Sequence, residues 1–147
     1  MHSETIHVER TYPINATKLW QALTNKQNMK EWFYEIPNFT TEVGGEFEFF
    51  KHNQQQNTLY QCQVIEIIPV ELFKFTWRHP KQSAGTSIIT WRLIPRRGAT
   101  TLHLTHEGLE NFKDAGEHFT QDNFELGWER ILGDQLSKYI DRLNNTR

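Results

Sequence analysis

Between Gly44 and Leu109 the chain alternates apolar and polar residues in five successive segments, joined by connections too short for a helical crossover. "GGEFEFFK" sets Phe47 and Phe49 against Glu46 and Glu48, with a Gly44-Gly45 turn signal before it. "NTLYQCQVIEIIP" sets Tyr60, Cys62 and Val64 against Gln61 and Gln63. Its period breaks over Ile65 to Ile68, as at a β-bulge. "ELFKFTWRH" groups Phe73, Phe75 and Trp77; "TSIITWRLIP" groups Ile89, Trp91 and Leu93; "ATTLHLTHEGL" groups Leu102, Leu104 and His106. Period two means strands. The links Pro69-Val70, "PKQSAG" and "PRRGA" can hold only hairpins, so the strands form an antiparallel meander. The polar "HNQQQN", His52 to Asn57, is expected at an exposed hairpin tip.

A further alternating segment, "TIHVERTYP", precedes the meander and ends at Pro13. "NATKLWQALTN" then reads as a helix, with Asn15 as N-cap and Ala16, Leu19, Trp20 and Leu23 at helical spacing. "KQNMKEWF" reads as a second short helix with Met29, Trp32 and Phe33 on one side. The last stretch, "NFELGWERILGDQLSKYIDRL", is a long helix. Asp122 with Glu125 resembles a capping box, and Thr120 is a competing N-cap. At about 100° per residue, Phe124, Ile131, Leu132, Leu136, Tyr139 and Leu143 share one stripe with Trp128. Gly127 and Gly133 flank it. Each costs a helix roughly 1 kcal/mol relative to Ala, so either something approaches closely there or the glycines are merely tolerated.

The 147 residues suit one domain, 1–147. A net charge of −2 argues against nucleic-acid binding through a general basic field. Arg92, Arg96 and Arg97 read as solvated surface. The one cysteine, Cys62, allows no intrachain disulfide and fits a cytoplasmic location. No apolar run approaches the ~18 residues of a membrane span, and "MHSETIHVER" lacks a signal-peptide core. The seven histidines form no metal signature, and His103 and His106 point to opposite sheet faces. "VGGEF" lacks the spacing of a phosphate loop. Neither a metal nor a cofactor is expected.

The order of elements is that of an α+β helix-grip fold. "INATKLWQALTN", "EWF", "VGGEFEF", "VIEIIPVELFKFTW", "LTHEGL" and "GWERILGDQL" occur in an order that resembles the activator of heat-shock-protein-ninety ATPase homologue family, within the START-like (SRPBCC) superfamily. The resemblance runs from Ile6 to Leu143. It implies a curved antiparallel sheet of six or seven strands wrapped around the C-terminal helix, with two short helices after the first strand. It also implies a cavity between sheet and helix. Superfamily members hold lipids, sterols, polyketides or plant hormones there, and some are cyclases or hydrolases. The eukaryotic branch stimulates a chaperone ATPase through members with an additional N-terminal domain, for which this chain has no room. Cys62 stands where the family usually has Gly, which would narrow the pocket.

The inward aromatics Trp20, Trp32, Phe49, Tyr60, Phe75, Trp77, Trp91 and Trp128 are candidates for a flat-walled ligand site, weighed against plain core packing. Cys62, His106, Leu132 and Gln135 join them. His106 could bond a ligand or act in acid–base chemistry, but no nucleophile or carboxylate accompanies it; a backbone-bonded core histidine is the competing reading. Gln135, near the centre of the stripe, needs a partner for its amide, either a ligand or a core group such as Tyr60. No catalytic residue is assigned. Three readings follow: a non-enzymatic binder of a small lipophilic or aromatic molecule, a chaperone-associated interaction module, and a cyclase- or hydrolase-like enzyme. An aromatic cavity of several hundred Å³ would favour the first. A filled interior with a large exposed apolar patch would favour the second. An inward carboxylate beside His106 would favour the third.

Overall fold

The structure, a computed structural model, describes residues 5–52, 57–116 and 119–145. Six strands form one curved antiparallel sheet: β1 (Thr5–Tyr12), β2 (Glu46–His52), β3 (Asn57–Ile68), β4 (Leu72–Trp77), β5 (Ser87–Arg96) and β6 (Ala99–Glu107). Their order is β1-β6-β5-β4-β3-β2. The meander lies as its short links demand, and β1 closes the far side against β6. The break in period of β3 is a register shift between Val64 and Glu66. β2 and β3 pair as far as His52 and Asn57; the hairpin tip expected between them lies outside the described residues.

Helix α1 (Ala16–Thr24) starts where Asn15 Oδ1 accepts the Lys18 N–H at 2.8 Å. Helix α2 (Lys26–Trp32) follows at once, capped by Asn25. The Trp32 indole N–H donates to the Ala22 carbonyl at 2.9 Å and ties the two helices together. After β6 comes a 3₁₀ segment, Leu109–Ala115, which the sequence reading left unassigned. Leu109 and Phe112 anchor it in the core.

The C-terminal helix is α3 (Gln121–Arg130), a π-helical turn (Ile131–Leu136) and α4 (Ser137–Asn145). Thr120 caps it, its hydroxyl accepting the Asn123 N–H at 3.3 Å, so the capping box at Asp122 does not form. The π turn was not foreseen, and it corrects the helical wheel. A π turn advances less per residue than the 100° of an α-helix, so residues beyond it rotate back. Trp128, Leu132, Leu136 and Ile140, spaced by four, fall in one buried row. Leu143 turns outward to 39% exposure. Gln135 also leaves the stripe and is exposed.

Candidate functional site

The concave face carries the strand residues that the parity assigns to it. Phe47, Phe49, Tyr60, Cys62, Phe75, Trp77, Trp91 and His106 are all buried. Trp128 and Leu132 cover them from the helix. Most of the space between sheet and helix is filled with rings. Phe33, at the end of α2, lies nearly parallel to Trp128, with centroids 6.1 Å apart. Its other side meets Trp91 at 6.2 Å and Phe49 at 5.7 Å. Phe33 therefore plugs the interior that the resemblance leads one to expect open.

Among the described residues, a chamber of about 70 Å³ stays open beside the helix. Tyr34, Lys51, Tyr60, Trp77, Gly127, Trp128 and Ile131 are among its walls. A Cβ built on Gly127 would meet nothing within 4 Å. Gly127 thus faces space, and a larger side chain would occupy the chamber's opening. Gly133 has a different cause. A Cβ there would come within 3.2 Å of the Arg10 guanidinium, which lies across the π turn. Burial pushes the Tyr34 hydroxyl up to about 12 and raises that of Tyr60 as well, so both stay protonated. The indole N–H of Trp77 is buried without a hydrogen-bond partner.

His106 sits in a directed chain of hydrogen bonds. Trp128 Nε1–H donates to His106 Nδ1 at 3.0 Å, so that nitrogen carries a lone pair. The ring proton is then on Nε2 and points to Ser87 Oγ at 2.7 Å. The Ser87 hydroxyl in turn donates to the Trp77 carbonyl at 3.1 Å. Burial, with His79 nearby, pushes His106 down to about 3. A second proton on Nδ1 would confront the Trp128 N–H donor to donor. Both ring nitrogens are used within the core, and neither partner is a carboxylate.

His79 is its neighbour and opposite. Its ring is stacked on Phe119 at 4.1 Å and packed against Phe112 at 4.2 Å. It is fully buried, and neither nitrogen has a partner. Desolvation pushes it down to about 4. Outside the chamber, a groove of about 640 Å³ runs along edge strand β2, between Phe49 and Phe50 and the segment from Phe33 to Asn38.

The structure brings Tyr60, Trp77 and Trp128 together at the chamber. Trp32, Cys62, Phe75, Trp91, His106 and Leu132 are packed in the core, and Phe49 also borders the outer groove. Trp20 is half-buried at the core's edge. Gln135 is corrected: its amide donates to the Trp32 carbonyl at 3.0 Å, closing the end of α2 rather than reaching a cavity. The sequence reading missed Tyr34 and Lys51. Lys51 was legible, since it continues the parity of buried Phe47 and Phe49 along β2 to an exposed position at the chamber. Tyr34 was not, because it follows a helix end with no period to follow. Among the described residues no three His, Cys, Asp or Glu side chains cluster to hold a metal. None of their helices is long and apolar enough to cross a membrane.

A family profile described as Activator of Hsp90 ATPase homolog 1-like protein matches residues 13–141. The chain belongs to this family. No curated protein sequence matches it. Solved structures similar to this family member include the Mll3558 protein from Rhizobium loti, with TM-score 0.80 and 23% identity over 94% of this chain and 97% of that one. MLL2253 from Mesorhizobium loti is similar at TM-score 0.78 and 25% identity, over 94% and 97%. CalU16 from Micromonospora echinospora is similar at TM-score 0.71 and 21% identity, over 92% of this chain and 75% of that one. These likenesses establish the helix-grip fold.

Proposed function

We propose that the chain, acting as one domain over 1–147, binds a small lipophilic molecule with an aromatic ring between sheet and C-terminal helix. The observation that carries this reading is the chamber at Gly127, where the helix omits a side chain and rings of Tyr34, Tyr60, Trp77 and Trp128 form the walls. Flat ring walls suit a flat ligand, and Tyr34, Lys51, Tyr60 and Asn123 add polar groups among them. At about 70 Å³ the chamber takes the edge of a ring. Admitting the rest requires half-buried Tyr34 and Ile131 to move aside. The test is a titration with indole, followed by backbone amide shifts and tryptophan fluorescence. Shifts should centre on Tyr60, Trp77, Gly127 and Trp128, and Gly127→Trp should abolish them while keeping the fold. Absence of shifts at millimolar indole would refute the reading.

A second reading, a chaperone-associated interaction module, draws on the outer groove beside β2, where Phe50 is 47% exposed. Its test is binding of a purified chaperone by the parent and by Phe50→Asp. Equal binding by both, or none by either, would remove the groove from consideration.

A further inference from the structure

The chamber at Gly127 and the outer groove along β2 share a wall of rings. Among the described residues, Tyr34 alone lines both spaces. Phe49, on the groove, is stacked on Tyr34 with centroids 4.8 Å apart. It also meets the chamber walls Tyr60 at 5.5 Å and Trp77 at 5.6 Å. Phe33, likewise on the groove, touches Tyr34 edge-on at 4.5 Å and lies 6.1 Å from Trp128. Tyr34 is therefore the partition between the two spaces.

The local chain lets this partition swing. Tyr34 belongs to neither helix nor strand, since α2 ends at Trp32 and β2 begins at Glu46. Buried Trp32 and Ile36 pin the chain on either side of it. Its half-buried ring can change rotamer without breaking a backbone hydrogen-bond ladder. A ring entering the chamber has to displace it, because about 70 Å³ holds only a ring's edge. Once displaced, Tyr34 leaves a passage into the groove of about 640 Å³. Phe33, Pro37, Phe49 and Phe50 line that groove and suit an apolar chain. Glu35 and Glu48 line it too, and their carboxylates are acceptors for a terminal hydroxyl.

We propose that chamber and groove are the two ends of one site gated by Tyr34, and that its ligand is an elongated arylalkyl alcohol. The ring lies between Tyr60, Trp77 and Trp128, and the chain passes the displaced Tyr34 into the groove beside Phe50. This rests on the ligand-binding reading above and adds the length of the ligand and the second half of its site.

Benzyl alcohol and phenylhexanol, with its hydroxyl at the chain end, make the test, since they share a ring and a hydroxyl and differ in length. Both are titrated into the parent chain, Phe50→Asp and Tyr34→Ala, with amide shifts as the readout and melting curves confirming that the variants fold. In the parent, benzyl alcohol should shift Gly127 and Trp128, and phenylhexanol should shift Glu48 and Phe50 as well. Phenylhexanol should bind roughly tenfold tighter or more. Phe50→Asp should remove most of that advantage and leave benzyl alcohol binding as before. Tyr34→Ala should speed the entry of phenylhexanol at least about fivefold in stopped-flow tryptophan fluorescence, because no side chain then has to move first. Phenylhexanol shifts confined to one side of Tyr34, or an undiminished advantage in Phe50→Asp, would overturn the extended site while leaving the chamber in place. Equal entry rates in the parent and Tyr34→Ala would overturn the gate. Binding of neither alcohol would remove both the extended site and the ligand-binding reading beneath it.

Discussion

Two buried histidines in this chain meet the same problem in opposite ways. His106 uses both nitrogens, between Trp128 and Ser87, whereas His79 is wrapped in phenylalanine with both nitrogens unused. Each is held neutral, at about 3 and about 4 against an ordinary value of 6.5. The unfolded chain takes up protons below pH 6.5 and the folded chain does not, so stability present above that value is lost as pH falls toward 4. The slope is about 1.4 kcal/mol per pH unit for each histidine. Thermal melting at pH 7 and pH 5 should show a marked fall for the parent. His79→Leu removes one of the two contributions and should recover about 2 kcal/mol at pH 5. At pH 7 the same change should be neutral or stabilising, because it replaces an unpartnered polar ring by an apolar one of similar size. A variant that melts lower than the parent at pH 5 would mean that His79 has a partner after all.

At the scale of the element, the π turn decides how the C-terminal helix is held. It breaks the regular ladder, and the Leu132 carbonyl takes a 2.6 Å hydrogen bond from the Tyr12 hydroxyl on β1. Tyr12→Phe should cost about 1 kcal/mol by removing the shorter of the two hydroxyl donors to that carbonyl, Ser137 at 3.4 Å being the other, read as a lowered melting midpoint at unchanged denaturant slope. The two glycines flanking the helix respond differently to alanine. At Gly127 a methyl group meets only space, so Gly127→Ala should stabilise by roughly 0.5–1 kcal/mol. At Gly133 the methyl group meets the Arg10 guanidinium, a flexible end that must move, and the gain should be smaller. Urea titrations of the two variants side by side would show it; a larger gain at Gly133 would reverse the assignment.

For the whole molecule, the sheet and the helix depend on one apolar row: Trp128, Leu132, Leu136 and Ile140. Leu132 is fully buried in a row of apolar side chains. Leu132→Asp should leave no cooperative melting transition, since an unpaired buried charge exceeds what a stability of about 5–15 kcal/mol tolerates. A soluble variant with near-parental circular dichroism and melting would show that the row is not what joins the helix to the sheet. Phe33 makes the other contribution at this scale, filling space between the layers and leaving the chamber confined to the flank of Gly127.

Strand identity, inward parity, hairpin order and the cap at Asn15 were legible in the sequence, because each depends on neighbours within a few residues; at the C-terminal helix the sequence offered both Asp122 and Thr120, and only the structure chose Thr120. The bulge in β3 was legible too, as a break in period. The phase of the C-terminal helix beyond Ile131 was not legible. A regular wheel assumes one rotation per residue, and the π turn, with Tyr12 bonded to it from β1, breaks that assumption through a contact 120 residues distant in sequence. Gln135 was misplaced for that reason. The size of the chamber also lay beyond the sequence. Volume is what remains after every ring has found a position, and Phe33 comes from a segment whose direction only packing against Trp91 and Trp128 fixes. The alternation of residues alone determined which side chains enter the interior; the tertiary packing decided which of them meet open space, because a void belongs to no single stretch of chain.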